Sequence, residues 1–436
     1  MLSNINKYQK EAIVLLQLGT FLEYFDLMLY IHMAVLLNEV FFSKTDPSTK
    51  DFISAFAFCS TYVLRPVGAV IFGYIGDIIG RQKTVIITSI LMAISCVCIA
   101  ILPTYEQIGI LASWGVTLCR AMQSISAQGE IIGAEVYLTE IIKPPARYVA
   151  VSFTSFSASV GGIAALVLAI IIQSLDLSWR IAFLIGALIA LIGSSARIRL
   201  RETPEFVDFK LRIQKIIEKD KLKIDIFTAA HPLWQEKINV KTGLAYFIIS
   251  CGFPACFYLS YIYCGNILQN KFGYTSNQVI SQNFIVALLQ SLSFLCYSLC
   301  SYKINPLKIL NFRICFFIPI LLLSIWWLDN FTNPNQVLIF QCMVIVFGVM
   351  DCPGAGLFIN HFPIARRFTS LGLMYAFSRI VIYVTTSFGF VYLTKWFSSF
   401  GVFLLLIIIT LGFIWGVRHF QKLEDEIPKI LGKIWF

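Results

Sequence analysis

Twelve apolar stretches run through the 436 residues of this chain, each about as long as a helix needs to cross a bilayer. They lie near 13–37, 53–75, 84–102, 108–132, 148–172, 180–199, 243–268, 278–300, 306–328, 336–360, 368–394 and 399–420. A soluble domain carries roughly 25% charged residues; here 13% are charged and 58% hydrophobic, which excludes a soluble globule. Disorder is excluded by the same numbers, because it needs low hydrophobicity and high charge. A transmembrane barrel alternates in and out and shows no long apolar runs. The expectation is an all-α polytopic membrane protein of twelve transmembrane helices in two six-helix bundles. The longest polar interruption, 200–241, sets the division. Residues 1–199 form an N-terminal bundle, 200–241 a cytoplasmic linker with an interfacial helix, 242–421 a C-terminal bundle, and 422–436 a short cytoplasmic tail.

Lys and Arg orient such a chain, because basic loops stay in the cytoplasm. With the N-terminus inside, twenty-six of the thirty-four Lys and Arg residues fall on the cytoplasmic side, four on the outer side and four in or beside spans. Arg197 and Arg313 are counted here with the cytoplasmic loops. Both termini are then cytoplasmic, and the net charge of +10 needs no nucleic acid to explain it. Residues 1–11 are polar and the first apolar run is long and holds acids, so no cleavable signal peptide is expected. All twelve cysteines fall in apolar runs and read as buried small hydrophobes, with neither a metal nor a disulfide expected. In the linker, Phe206, Phe209, Ile213, Ile216 and Ile217 recur at helical spacing among basic residues. That pattern predicts a helix lying on the anionic inner leaflet, or else a recruitment site for a partner.

The halves repeat each other weakly. Pro144-Pro145-Ala146-Arg147-Tyr148 has a counterpart in Pro363-Ile364-Ala365-Arg366-Arg367-Phe368. The loop between spans two and three places Gly73, Gly76, Asp77, Gly80, Arg81 and Lys83 in the order G-x-x-G-D-x-x-G-R-x-K. Gly73 and Gly76 permit close helix approach, and Gly80 a tight turn. The opposite charges are placed to bridge to a neighbouring helix and hold one conformation. In the second half Tyr302 stands for Asp77 and Asn305 for Gly80.

This motif resembles the loop two–three signature of the major facilitator superfamily. The resemblance narrows through Gly19 to Asp26, Leu64-Arg65-Pro66, Arg120-Ala-Met-Gln123, Gly129-Glu130, Trp179-Arg180 and Arg201-Glu202-Thr203-Pro204-Glu205-Phe206. Together these look like the bacterial metabolite:proton symporters, which include proline/betaine, dicarboxylate, citrate and shikimate carriers. Tyr24, His361 and Arg379 depart from the family's usual residues. The resemblance implies a major facilitator fold, with parallel six-helix halves around a midplane site. It further implies a bacterial inner (plasma) membrane location, a small-molecule substrate, a proton as coupling ion, no cofactor and a monomeric functional unit.

Ionisable groups near the midplane cost roughly 2.5–3.5 kcal/mol on insertion scales and mark function. Glu23 and Asp26 share a face of span one, with Glu23 about 15 Å from its inner end. In span four Arg120, Gln123, Ala127 and Glu130 form one stripe, with Arg120 about 18 Å from its outer end. The depths match, so these residues are expected to face one cavity. Glu23, Asp26 and Glu130 are candidate proton-coupling acids, and Arg120 a counter-charge or carboxylate anchor. Each is otherwise a static ion pair. Arg65 either contacts substrate or bridges to span one or four. Tyr24, Phe25 and Tyr30 offer an aromatic wall suited to a quaternary ammonium; Gln123 and Arg379 complete the candidate substrate contacts. Gly73, Asp77, Gly80, Arg81, Lys83, Arg147 and Arg366 are the candidate gating residues. Glu135 and Glu140 read as structural, Asp351 and Arg379 as a bridge, and His361 as a loop or capping residue.

Motifs for zinc hydrolysis, a serine elbow or a phosphate loop are missing from the sequence, which argues against an enzyme and against direct ATP drive. The expected function is proton-coupled symport of a small zwitterion such as proline or betaine by alternating access. Symport of an organic acid is the nearest alternative. A transporter-derived sensor, and a uniporter, antiporter or drug exporter of the same fold, stand behind it. With no long heptad repeat in residues 421–436, no coiled-coil extension is expected.

Overall fold

Helices account for nearly all the regular structure in a computed structural model of the chain, which describes residues 5–33, 37, 40–41, 63–175, 177–219 and 238–434. The start of the second expected span and linker residues 220–237 lie outside the described residues. Contacts divide the chain into two units: Met1–Lys237 with Pro363–Ala376, and Ile238–Phe362 with Phe377–Phe436.

The first unit holds α1 (Lys7–His32), α2 (Arg65–Ile78), α3 (Arg81–Ile101), α4 (Ile110–Ile141), α5 (Ala146–Ser174), α6 (Trp179–Arg197) and the linker helix α7 (Pro204–Lys219). Helix α1 packs along α5 and against α4 and α6; α3 packs on α4 and α6, and α2 on α4. Glycines allow the closest crossings. A Cβ on Gly161 would lie 2.2 Å from the Phe21 carbonyl oxygen, and one on Gly68 2.4 Å from that of Ile125. Phe25, Trp179 and Phe183 form an apolar cluster at one end of this unit.

The second unit holds α8 (Val240–Phe257), α9 (Cys264–Phe272), α10 (Ser276–Cys300), α11 (Pro306–Trp327), α12 (Pro334–Phe347), α13 (Ala355–Asn360), most of α14 (Arg367–Phe397) and α15 (Ser399–Ile434). Helix α8 packs on α15, α10 on α12, and α11 on α12 and α15. Where the first half has its charged loop, α11 begins with a plain cap: the Asn305 side chain accepts the Leu307 N–H at 2.9 Å and Pro306 opens the helix.

Among the described residues, eight helices are long and apolar enough to span a membrane, and Trp179–Ser195 and Pro334–Phe347 are shorter apolar helices. With α2 and α4 these make the twelve crossings. Helix α4 is long but carries too many polar groups to register as apolar, because it turns Arg120, Gln123, Glu130, Glu135 and Glu140 into the protein.

Several expectations are corrected. Span four does not end near 132: α4 continues to Ile141, its last turns kept by buried polar contacts rather than by lipid. Span seven is not one regular helix. A π-helical turn, Tyr258–Tyr263, follows Pro254, which lacks the N–H a regular ladder needs. Span ten is broken after Phe347 and resumes at Ala355. Arg313, counted above as a loop charge, explains the break. Fully buried, it donates to the Gly348 carbonyl at 2.5 Å and the Cys352 carbonyl at 2.9 Å, and lies 4.7 Å from the Tyr297 ring centroid. Opened backbone inside a membrane persists only where such partners satisfy it. Arg197, also counted as a loop charge, is 1% exposed. Finally, Cys296, Cys300 and Cys315 are exposed at the helix surface rather than buried.

Candidate functional site

Helix α1 brings Glu23 and Asp26 to the interior of the first unit, where α2 supplies Arg65 and α4 supplies Arg120 and Gln123. These five, with Met92 and Ala127, line a cavity of about 10 Å³, room for about one water molecule. Arg120 lies 3.7 Å from Asp26, and Arg65 3.8 Å from Glu23. Both separations exceed a hydrogen bond yet keep strong attraction at low dielectric. Arg120 donates to Gln123 at 2.8 Å and stacks 3.9 Å from the Tyr30 ring centroid. Cys96 donates through sulfur to Asp26 at 3.1 Å, so this cysteine is a polar member of the site and not mere filling.

Phe25 and Tyr30 join the same apolar cluster, Tyr30 also facing Arg120, while Tyr24 is half-buried and does not line this cavity. Arg65 pairs with Glu23 of span one and also lines the cavity.

Glu130 does not line that hollow. It faces a second cavity of about 20 Å³, which shares Glu23 and Met92 with the first. There Glu130 pairs with Arg197 from α6 and accepts from Ser89 at 3.0 Å and Thr88 at 3.2 Å.

A third charged cluster gathers at the ends of α2 and α3. Asp77 accepts the N–H groups of Phe368 at 3.0 Å and Thr369 at 2.9 Å, placing an anion at the start of α14. Arg81 is fully buried under the Phe206 ring, 4.3 Å from its centroid, and donates to Gly76 and Ile364 carbonyls at 2.8 and 2.7 Å. Glu140 pairs with Arg81 at 3.2 Å and Arg367 at 3.0 Å, and accepts Thr203 at 2.5 Å. Glu205 pairs with Arg367 at 3.0 Å and Arg147 at 3.9 Å. The Glu202 carboxylate accepts the N–H of Arg81 at 3.1 Å, capping α3; burial pushes its pKa up. A Cβ on Gly73 would lie 2.7 Å from Thr369 Cα, and one on Gly76 2.6 Å from the Phe368 ring. The two glycines therefore make room for the start of α14. Gly80 sits at φ 137°, the left-handed side that suits glycine. Lys83 is exposed and Arg366 half-buried. The neighbouring Arg367 places its guanidinium 3.0 Å from both Glu140 and Glu205.

In the second unit Arg379 donates to the Ser250 carbonyl at 3.2 Å. Asp351 lies in the break of span ten, within the fields of Arg379 and Arg313. His361 is the C-cap of α13, as a capping reading expects, and its side chain bonds Glu424 at 2.8 Å.

Residues 16–386 match the profile described as Major Facilitator Superfamily. The chain belongs to that superfamily. It is 30% identical to the proline/betaine transporter of Escherichia coli (strain K12) over 270 residues, 58% of this chain and 53% of that one. It is 33% identical to the glycine betaine/proline/ectoine/pipecolic acid transporter OusA of Dickeya dadantii (strain 3937) over 219 residues, 49% of this chain and 43% of that one. The chain spans about half the length of the curated relatives it matches. Among solved structures it resembles the proton:xylose symporter XylE bound to 6-bromo-6-deoxy-D-glucose, at a TM-score of 0.73 and 16% identity over 95% of both chains. It also resembles the human organic anion transporter MFSD10, at 0.65 and 15% identity over 95% of this chain and all of that one. At such identities the structural likeness concerns the fold.

As a major facilitator superfamily chain, this protein belongs to a group of membrane transporters and not of enzymes. Sequence reasoning missed Arg197, Glu202, Thr203 and Arg367 as site members. The signal for Thr203 and Glu202 was present in the Arg201–Phe206 stretch. Arg197 and Arg367 were hidden, because a basic residue at the end of an apolar run reads as an orientation charge.

Proposed function

We propose that this chain is a proton-coupled symporter of a small zwitterion of the proline or betaine kind, working by alternating access in a bacterial inner membrane with both termini cytoplasmic. The observation that carries the proposal is the charge balance of the first hollow: two carboxylates, Glu23 and Asp26, face two guanidiniums, Arg65 and Arg120. A zwitterion adds no net charge to such a site, whereas a dicarboxylate adds two uncompensated charges at low dielectric, which costs several kcal/mol per ion. The solute's carboxylate takes the Arg120 fork, with Gln123 beside it. Its cationic end takes an acid and the Tyr30 ring. The names of the curated relatives support the same solute class.

Asp26 and Glu23 are the acids that hold the coupling proton, and Glu130 stands further along the same route. Tyr24 and Arg379 remain as candidate solute contacts beyond the first hollow. In this reading the N-terminal bundle (1–199), the linker 200–241, the C-terminal bundle (242–421) and the tail 422–436 are the parts of the chain, and the solute site is the first hollow, inside the N-terminal bundle. The functional unit is a monomer. The cavity of about 10 Å³ is too small for an amino acid, so solute binding must part the pairs that line it. The Asp77–Arg81–Glu140–Arg367 cluster is the gate, with Gly73, Gly76 and Gly80 shaping it and Arg147 and Arg366 at its rim. It holds Pro363–Ala376, a segment continuous in chain with the second unit at both ends. Lys83 adds basic charge at the same edge.

The test is uptake into proteoliposomes under an imposed pH gradient, with labelled proline, glycine betaine and 2-oxoglutarate. Accumulation of a zwitterion, abolished by a protonophore, is expected. Accumulation of 2-oxoglutarate alone makes the protein an organic-acid symporter, and binding without flux makes it a sensor. Asp26→Asn is expected to lose gradient-driven accumulation while solute exchange persists; undiminished accumulation removes Asp26 from coupling.

A further inference from the structure

The pair Glu130–Arg197 is built unlike a static helix staple. Four helices meet there, and both side chains are at least nine-tenths buried. Gly19 on α1 makes the space: a Cβ there would lie 1.1 Å from Arg197 Nη2 and 2.1 Å from Glu130 Oε1. Every group around the carboxylate has a second partner. Ser89 Oγ lies 3.0 Å from Glu130 Oε2 and 2.7 Å from the Val85 carbonyl, with one proton to give. Thr88 Oγ1 lies 3.2 Å from the same carboxylate oxygen and 3.1 Å from the Thr84 and Val85 carbonyls. Arg197 also donates through Nε and Nη2 to the Leu15 carbonyl, at 3.2 Å each.

A buried carboxylate that becomes neutral ordinarily strands its donors, at about 1–3 kcal/mol for each unsatisfied group. Here both hydroxyls turn back to carbonyls of their own helix, and the guanidinium keeps Leu15. With Glu130 charged, its Oε2 accepts from both hydroxyls; with Glu130 protonated, each of these donors keeps another acceptor. Glu23 lines this cavity and the first one, and the second cavity has room for about one water.

We infer that Arg197 is the counter-charge which Glu130 gives up on taking a proton and regains on losing it, with Thr88 and Ser89 as switching donors. This rests on the proton-coupled reading above. A proton passes from the Glu23 carboxyl through the intervening water to the Glu130 carboxylate. Glu23 becomes the anion and Glu130 the neutral acid, so charge balances. Arg197 is a positioning residue in this step and touches no solute.

The experiment compares wild type, Arg197→Gln, Arg197→Lys and the double variant Glu130→Gln/Arg197→Gln in proteoliposomes. It reads proline and glycine betaine exchange beside accumulation driven by a pH gradient. The double variant removes both charges of the pair and strands neither, so its exchange should stay within about twofold of wild type while accumulation falls at least tenfold. A static pair predicts both readouts falling together or neither, and either result overturns the inference. Should the double variant fail to fold, infrared difference spectra of reconstituted wild type and Arg197→Lys between alkaline and acid pH decide. A protonated-carboxyl band altered by Arg197→Lys supports the switch, and identical spectra overturn it. A wild type that exchanges solute without proton-driven accumulation overturns the proton-coupled reading and this inference together. Wild-type coupling with undiminished accumulation in the double variant overturns this inference alone.

Discussion

At the scale of single residues, guanidiniums organise the first unit. Arg120 reaches Asp26, Gln123 and the Tyr30 ring at once, a combination a planar fork makes and an ammonium does not. Arg120→Lys is therefore expected to weaken a carboxylate-bearing solute roughly tenfold, about 1.4 kcal/mol. Competition binding measures this; unchanged affinity assigns Arg120 to packing. The acids and Arg120 were legible because charge in an apolar run stands out. Their pairing was not. Which carboxylate meets which cation depends on helix rotation, and spacing along one helix does not fix rotation against another. Glu130 shows the limit: it shares a stripe with Arg120 yet faces α6, where Arg197 waits.

At the scale of elements, the breaks carry as much information as the helices. Span ten opens between Phe347 and Ala355 because Arg313 satisfies the exposed carbonyls. Arg313→Leu should cost about 1–3 kcal/mol for each carbonyl left unsatisfied. The drop is read as a lower unfolding temperature in detergent, against Phe316→Leu on the exposed face as control; equal midpoints contradict the assignment. Helix crossings are just as specific. Gly68→Ala drives a methyl into the Ile125 backbone, and overpacking of this kind costs about 1–3 kcal/mol. A variant as stable as wild type means α2 and α4 separate freely. Hydropathy located these helices but not their ends. The last turns of α4 hold Glu135 and Glu140, whose partners come from other helices, so a window over sequence stops too early.

At the scale of the whole molecule, one short stretch of chain receives contacts from far along the sequence. Pro363–Ala376 is held by Asp77, Arg81 and Glu140, and it leads into the second unit on either side. Glu140→Gln removes the carboxylate that Arg81 and Arg367 share, so it should slow turnover several-fold with KM within about twofold, the signature of a conformational step and not of binding. Initial-rate kinetics in proteoliposomes separate the two; a rise in KM alone assigns Glu140 to solute binding. Sequence by itself determined the all-helical membrane class, the twelve crossings, the superfamily and the presence of buried acids and arginines. Each of these follows from apolar length or from a local motif, which are properties of neighbouring residues. Tertiary structure alone decided that Arg197 and Arg313 are interior, that Arg367 meets Glu140, and that two hollows share Glu23. Those are contacts between residues far apart in the chain, and only helix packing sets them.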